Sequence, residues 1–361
     1  QKEDIIFNNT NSEELVGKTT YWKYENCKYV LSNHMTIVRI VDKNKINAYF
    51  LAKYLHKRWA DGFYRTVCRR HVNQSSISLA RLNQIQIPLP PLPEQQKIAS
   101  VLSAVQEAKE KTEAVITAAK ALKKSMMKHL FTYGPVSPEE AENVQLKETE
   151  IGPVPEDWEV VRLGEYCKVF SGYAFKSDDF CNNGVLVVKI GNLQNGSIVF
   201  NTKESFFPRE KINDDISKYI LNEGDILIAL TGATTGKISL VPKSVNGALL
   251  NQRVGKFSIY NDSLYKSFVM YYVMTDEFQN HIKKNILQSA QGNISPKQIE
   301  TFPIPLPPLP IQQKIASILS AIDAKIEAEE NKKKALEELF KTLLDYLMSA
   351  KIRVNHLEVP S

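Results

Sequence analysis

Two stretches of the chain repeat apolar residues at alternating spacings of three and four. Across 94–133 the positions are Ile98, Val101, Val105, Ala108, Thr112, Val115, Ala119, Leu122 and Met126. That spacing predicts one continuous helix with a coiled-coil seam. Pro93 suits the first helical position, where no N–H is needed, and Gly134-Pro135 ends the pattern. Roughly 40 residues at about 1.5 Å each make a rod of about 60 Å. Across 311–350 the pattern returns with Ile315, Ile318, Ile322, Leu336, Leu339, Leu343 and Leu347. Its middle is polar, with Lys325, Glu329 and Lys332 on the seam. Two such helices in one chain most simply bury their seams on each other, and antiparallel pairing is expected. The alternative is two separate amphipathic helices, each on its own core.

The rest of the chain has a different texture. Strand-like runs at 185–190, 225–230 and 253–259 alternate with polar turns, and a helix is expected near 264–284. This mixture lacks regular strand–helix–strand alternation, so the fold class is α+β. The expected organisation is a first globular region at 1–93, a spacer helix at 94–134 and an acidic, proline-containing linker at 135–150. A second globular region at 151–310, a second spacer helix at 311–350 and a tail at 351–361 follow.

The two halves are copies. Ile-Pro-Leu-Pro-Pro-Leu-Pro occurs at 87–93 and again at 304–310, each running into Gln-Gln-Lys-Ile-Ala-Ser. Over 87–105 against 304–322, 16 of 19 residues are identical at an offset of 217. At the same offset Ile77-Ser78 matches Ile294-Ser295, Tyr54 matches Tyr271 and Arg39 matches Lys256. With a small shift, Glu3-Asp4-Ile5-Ile6 answers Gly224-Asp225-Ile226-Leu227, and Gly17-Lys18 answers Gly236-Lys237. A pseudo-twofold repeat is therefore expected. The second copy opens near residue 151, so the first is expected to lack about 70 N-terminal residues. Proline-rich segments can dock on SH3 or WW domains. Here both copies sit between an Ile-rich stretch and a helix start, which favours a rigid strand-to-helix connector.

Charge adds a direction. Of 361 residues, 46 are Lys or Arg and 40 Asp or Glu, a net +6. Residues 1–93 alone carry 14 basic against 7 acidic side chains, whereas 151–310 balance at 16 and 16. A basic first region favours a polyanionic partner. Four scattered cysteines, Cys27, Cys68, Cys167 and Cys181, form no CxxC pair, which fits a reducing, cytoplasmic setting. No apolar run reaches membrane-spanning length. The six histidines have no metal spacing, and no nucleophile elbow, paired carboxylates or Asn-Pro-Pro-Tyr/Phe methyltransferase motif occurs. No catalytic residue, metal or cofactor is expected in this chain.

The candidates that remain are binding residues. Before the first proline motif lies Arg65, Arg69, Arg70, Asn73, Gln74 and Ser75; before the second, Lys283, Lys284, Gln288, Gln291 and Asn293. Arg pairs with guanine and Asn or Gln with adenine in the major groove, while Lys and Ser suit phosphates. Thr231-Gly232-Ala233-Thr234-Thr235-Gly236-Lys237 looks like a phosphate loop. It is one residue short, with Ile238 where a Mg²⁺-binding hydroxyl belongs, so a nucleotide-hydrolysing site is not expected. Thr231, Thr234, Thr235 and Lys237 are candidates instead for DNA contacts from a turn, together with Tyr173, Lys176 and Asn192.

The duplicated proline junction resembles the specificity (S) subunit of type I restriction-modification systems. The opening Ile-Gly-Pro-Val-Pro-Glu-Asp-Trp and the Trp-Glu-Val-Val-Arg-Leu-Gly-Glu that follows, together with Gly-Asp-Ile-Leu-Ile at 224–228, carry the same resemblance. It covers essentially the whole chain. It adds Asn8, Asn9, Thr10, Asn11 and Lys18 as candidate DNA contacts, in a stretch similar to those of first recognition domains. The resemblance implies a DNA reader without catalysis, in which two mixed α/β target recognition domains are joined by two long antiparallel helices. Each domain reads half of a bipartite site in double-stranded DNA, and the helices set the spacer. Two modification subunits using S-adenosylmethionine and two restriction subunits using ATP and Mg are the implied partners. A coiled-coil scaffold that never touches DNA is the alternative, and a fragment of a fused methyltransferase–specificity enzyme a third.

Overall fold

The computed structural model describes the chain apart from residues 26–28, 195, 201–203, 289–291 and 355–361, and the side chain of Gln288. Gln1–Ala118 with Ile326–Ser361 make one compact unit, and Ala119–Lys325 the other. Each unit contains part of a central helix, Leu92–Tyr133, and part of a distal helix, Leu309–Met348.

In the first unit the strand Ile5–Asn8 lies between Thr19–Tyr21 and Met35–Val38, antiparallel to both. Strand alternation sends Ile5 and Phe7 inward. Ile5 packs with Leu51, Ala52 and Leu55 of the helix Ala48–Ala60, and Phe7 with Val16, Tyr64 and Ile77. Gly17 turns the chain at φ +85°, and a Cβ there would lie 2.2 Å from the Tyr64 ring, so only glycine fits.

The second unit repeats this core. Ile226–Ala229 runs between Ile238–Leu240 and Val254–Ile259, again antiparallel to both, and Cys167–Ser171 adds an outer strand. The predicted strand at 185–190 is shorter, Val185–Val188, and gives way to a 3-10 turn at Ile190–Asn192. The single helix expected near 264–284 is two, Lys266–Tyr272 and Asp276–Gln288. The break is capped from within. Thr275 Oγ1 accepts the Phe278 N–H at 3.3 Å, and Gln279 Nε2 donates to the Val273 carbonyl at 2.8 Å. Within 135–150, Ser137 and Glu140 form a capping box on the helix Pro138–Ala141, and Leu146–Thr149 pairs with Gly152–Pro155.

The long helices are antiparallel in each unit, as expected. In the first, Ile98 and Leu102 share a core with Leu344, Leu347 and Met348, and Lys333 reaches Glu113 at 3.0 Å. In the second, Leu130 and Phe131 share a core with Ile315, Ala316 and Leu319, and Lys123 reaches Asp323 at 2.6 Å. The seam departs from the predicted one at two positions of the central helix. Val115 and Leu122 are 42% and 53% exposed, and Leu102 and Ile116 are buried beside them, while Ile98 and Thr112 are buried as predicted. In the distal helix Lys325, Lys332 and Leu339 lie outside, and Ile326, Lys333 and Phe340 take their places. The reason is chemical: the half-buried positions include Lys109 and Lys123. Lys109 lies over Phe340, and Lys123 over Tyr271. Pro93 is the second helical residue, because the helix opens at Leu92.

The proline junction works through one residue in each copy, Gln95 and Gln312, both fully buried. Gln312 Oε1 accepts the Tyr265 N–H, and its Nε2 donates to the carbonyls of Ser263 and Pro307, all at 2.8 Å. Gln95 Oε1 accepts the Asn47 N–H at 3.0 Å, and its Nε2 donates to Lys45 and Pro90 at 2.9 and 2.8 Å. Asn47 and Tyr265 are the N-caps of equivalent helices. Each glutamine thus ties a long helix, its proline segment and the first turn of a core helix together. In the second copy the proline segment also forms the strand Pro303–Leu306, paired with Glu159–Arg162.

Candidate nucleic-acid interface

Three very short strands assemble the basic loop of the first unit. Thr10–Asn11 pairs with Ser75–Ser76, which pairs with Arg69–Arg70, so Asn11 and Arg70 flank Ser75 and Thr10 and Arg69 flank Ser76. Arg69 and Arg70 are exposed, and Asn73 and Gln74 sit exposed at the tip of the turn closed by His71 N–H to the Gln74 carbonyl. Arg70 is aimed by an ion pair to Glu13 at 2.7 Å. Arg65 stands exposed on the neighbouring helix Phe63–Val67. Asn9 joins this loop through its carbonyl, which accepts the Ile77 N–H, while its Nδ2 donates to Thr36 Oγ1 at 2.9 Å. The result is a small surface of two guanidiniums, two side-chain amides and Asn11, on a rigid hydrogen-bonded base.

Three sequence-predicted residues behave differently. Ser75 is buried. Asn8 is buried on the strand Ile5–Asn8, and Lys18 lies over the Trp59 ring at 5.2 Å; both line a cleft away from the turn tip.

In the second unit the turn after Ile226–Ala229 is the organising element. Gly232 and Gly236 adopt φ of +77° and +89°, and a 3-10 turn spans Gly232–Thr234. Thr235 Oγ1 donates to the Gly232 carbonyl at 2.6 Å and the Gly292 carbonyl at 3.2 Å, which brings in the residues beside Asn293. Lys237 Nζ donates to Gln194 Oε1 at 3.2 Å, which brings in the hairpin Leu193–Gln194 with Ser197–Ile198. Gln279 donates to the Gly236 carbonyl at 3.0 Å, placing the helix that carries exposed Lys283 and Lys284 against the same turn. The hydroxyl oxygens of Thr231 and Thr234 are buried without a partner among the described residues.

Asn192 is occupied by structure: its Oδ1 accepts the Lys189 N–H at 2.8 Å and its Nδ2 donates to Val199 at 3.2 Å. Tyr173 packs on Phe175 and Tyr219, and the Lys176 N–H donates to Asp179 Oδ2 at 3.2 Å. Gln291 and the side chain of Gln288 lie outside the described residues. Sequence reasoning missed Glu13 and Gln194, which orient Arg70 and Lys237. It also missed Lys189, over the Phe180 ring at 3.9 Å, whose ammonium burial pushes below the usual lysine range. No spacing or motif marks such partners; they become visible only when the loops are folded. Among the described residues no group of three or more His, Cys, Asp or Glu could hold a metal ion, and no helix is long and apolar enough to cross a membrane.

Two α/β units built on the same parts, each with a basic or polar loop cluster and a share of two antiparallel helices, define a duplicated recognition protein. The chain belongs to the type I restriction modification DNA specificity domain family, whose model matches residues 1–118 and 155–338. It is 34% identical over 336 residues to the type I restriction enzyme MjaVIII specificity subunit of Methanocaldococcus jannaschii, covering 91% of this chain and 76% of that one. Against the EcoAI specificity subunit of Escherichia coli it is 35% identical over 167 residues, 45% of this chain and 28% of the other. The fold resembles a crystal structure of the type I S subunit from M. genitalium, with a TM-score of 0.65 and 17% identity. That match covers 96% of this chain and 83% of the other.

Proposed function

We propose that the protein is the DNA sequence-specificity subunit of a type I restriction-modification complex. The first unit reads one half of a bipartite, asymmetric site through Arg65, Arg69, Arg70, Asn73 and Gln74. The second reads the other through the Thr231–Lys237 turn and the neighbouring lysines, Lys283 and Lys284. The observation that carries this reading is the contrast within the repeat. Gln95 and Gln312 make the same three bonds, and Ser78 and Ser295 cap equivalent helices, yet the loops these parts support differ in charge and side chain. Parts that meet the same partner stay alike, and parts that read different bases diverge.

The unbroken helices Leu92–Tyr133 and Leu309–Met348 set the distance between half-sites and dock two modification subunits. Methylation with S-adenosylmethionine, and cleavage driven by ATP and Mg, belong to those subunits and to two restriction subunits; this chain is not itself an enzyme. The complex works in the cytoplasm. The test is binding of the reconstituted complex to duplex DNA over a salt series. Specific binding with a steep inverse salt dependence supports the reading. Binding that is absent, or indifferent to DNA sequence, refutes it and favours a scaffold.

A further inference from the structure

One residue just past each central strand holds two loops at once. In the first unit it is Asn9, whose N–H donates to the His34 carbonyl at 2.9 Å and whose carbonyl accepts the Ile77 N–H at 2.8 Å. In the second it is Leu230, whose N–H donates to the Arg253 carbonyl at 3.0 Å and whose carbonyl accepts the Ile294 N–H at 2.9 Å. Ile77 closely follows the Arg69–Ser76 loop, and Ile294 follows Asn293. His34 and Arg253 lie in turns that have no part in the proposed DNA reading.

Those two turns are built alike. The Met35 N–H donates to the Ser32 carbonyl at 3.0 Å, and the Val254 N–H to the Asn251 carbonyl at 2.9 Å. The His34 N–H donates to Ser32 Oγ at 3.2 Å, and the Arg253 N–H to Asn251 Oδ1 at 3.3 Å. Each turn leads into a strand beside the central one, Met35–Val38 or Val254–Ile259. His34 and Arg253 are 219 residues apart (253 − 34), not 217, so the sequence repeat does not align them. Both turns are braced from outside. Asn9 Nδ2 donates to the Asn33 carbonyl at 3.3 Å. The Tyr173 N–H donates to the Leu250 carbonyl at 2.8 Å, and the Gln252 N–H to the Tyr173 carbonyl at 2.9 Å. A Cβ on Gly172 would lie 2.2 Å from the Leu250 carbonyl oxygen, so this brace needs glycine.

The frames agree and the tips differ. Asn33 and His34 top the first turn, Gln252 and Arg253 the second, and all four are exposed. Among the described residues the side chains of His34, Gln252 and Arg253 have no partner, and Asn33 Oδ1 accepts the neighbouring Ser32 hydroxyl at 3.3 Å. Turn geometry favours Gly, Pro, Asn, Asp and Ser, so it does not account for Gln252 or Arg253. Their chemistry suits base edges, since a guanidinium fork matches guanine and a side-chain amide matches adenine. We propose that these turns are a second base-reading element in each unit. Arg253 pairs with a guanine and Gln252 with an adenine in the half-site of the second unit. Asn33 pairs with an adenine in the half-site of the first, with His34 beside it. This role rests on DNA reading by the two units.

The experiment assembles the protein with modification subunits and measures binding to a library of duplexes at fixed salt. The variants are Arg253→Lys, which keeps the charge and loses the fork, Gln252→Ala and Asn33→Ala. Arg253→Lys and Gln252→Ala should each relax preference about tenfold at a single base pair of one half-site and leave the other half alone. Asn33→Ala should do the same in the opposite half. Each turn stands or falls on its own variants. An unchanged preference overturns the role of that turn. So does an equal loss on every sequence, which marks a phosphate contact. Hydrogen exchange in Ile5–Asn8 and Ile226–Ala229 should stay at the wild-type rate. Faster exchange in a variant marks a structural side chain and overturns base reading by it. Wild-type complex that binds without sequence preference refutes DNA reading itself, whereas a specific wild type with indifferent turn variants refutes only the turns.

Discussion

Replacing Gln312 with leucine removes three buried hydrogen bonds at once and leaves their partners in place. The Tyr265 N–H and the carbonyls of Ser263 and Pro307 each lose a contact at 2.8 Å in a site from which water is excluded. A typical buried hydrogen bond contributes about 1 kcal/mol net, and an orphaned backbone group costs about 1–3 kcal/mol. Leucine recovers part of this through apolar burial, so the net cost to the second unit is about 3–5 kcal/mol. Gln95→Leu imposes the same loss on the first unit, through Asn47, Lys45 and Pro90. The assay is hydrogen exchange followed by mass spectrometry. In Gln312→Leu the peptides covering Lys266–Tyr272 should exchange about 10³-fold faster, and in Gln95→Leu those covering Ala48–Ala60 should. A cost below about 1 kcal/mol in either variant, or a change in the opposite unit, would refute the clasp.

Four further outcomes are expected. Lys53→Met should stabilise the protein by about 2 kcal/mol at pH 7. The pKa lowered from 10.5 to about 8 corresponds to about 3 kcal/mol, reduced for the part of the side chain that water reaches. Because the unfolded chain holds that proton to higher pH, wild-type stability should rise between pH 8 and 10.5, and the variant should lose that rise in urea titrations. Arg39 holds the Asp4 carboxyl down at about 2, so its contribution should be present above pH 4 and lost as pH falls from about 4 to about 2. Asp4→Asn should remove on the order of 1–2 kcal/mol of that acid dependence, given that Arg39 is half exposed. Arg69→Ala or Gln74→Ala should relax preference at one base pair, at about 1–3 kcal/mol, whereas Lys283→Ala should weaken all sequences alike and flatten the salt slope by about one. Inserting four residues after Ala104, about one helical turn, should change the spacer and spare both half-sites; an unchanged spacer would dismiss the ruler.

Periodicity revealed the two long helices and their pairing, because most inward positions are apolar. It misplaced Val115 and Leu122, which face outward, and missed Lys109 and Lys123, which are half-buried. A lysine whose stem packs on Phe340 or Tyr271 reads as surface in any hydropathy pattern. The repeated Gln-Gln drew attention as a motif, but that only Gln95 and Gln312 clamp the junction follows from which face turns inward. The candidate loops were legible from their arginines and amides. What the pattern could not give was their support: the Thr10–Asn11 pairing with Ser75–Ser76 joins residues more than sixty apart in the chain. Asn8 seemed to belong with Asn9, yet Asn8 is buried at the end of the strand Ile5–Asn8, whereas Asn9 bonds Thr36 and supports the loop. The helix expected near 264–284 is broken by Thr275 and Gln279, whose capping bonds leave no trace in hydropathy.

The most direct test of DNA reading by two independent units is an exchange of residues 151–303 for the corresponding region of the MjaVIII relative. The hybrid is assembled with modification subunits, and the bases it methylates in DNA are mapped. One half of the recognised sequence should change and the other should stay as it was. A change in both halves, or in neither, would contradict the account.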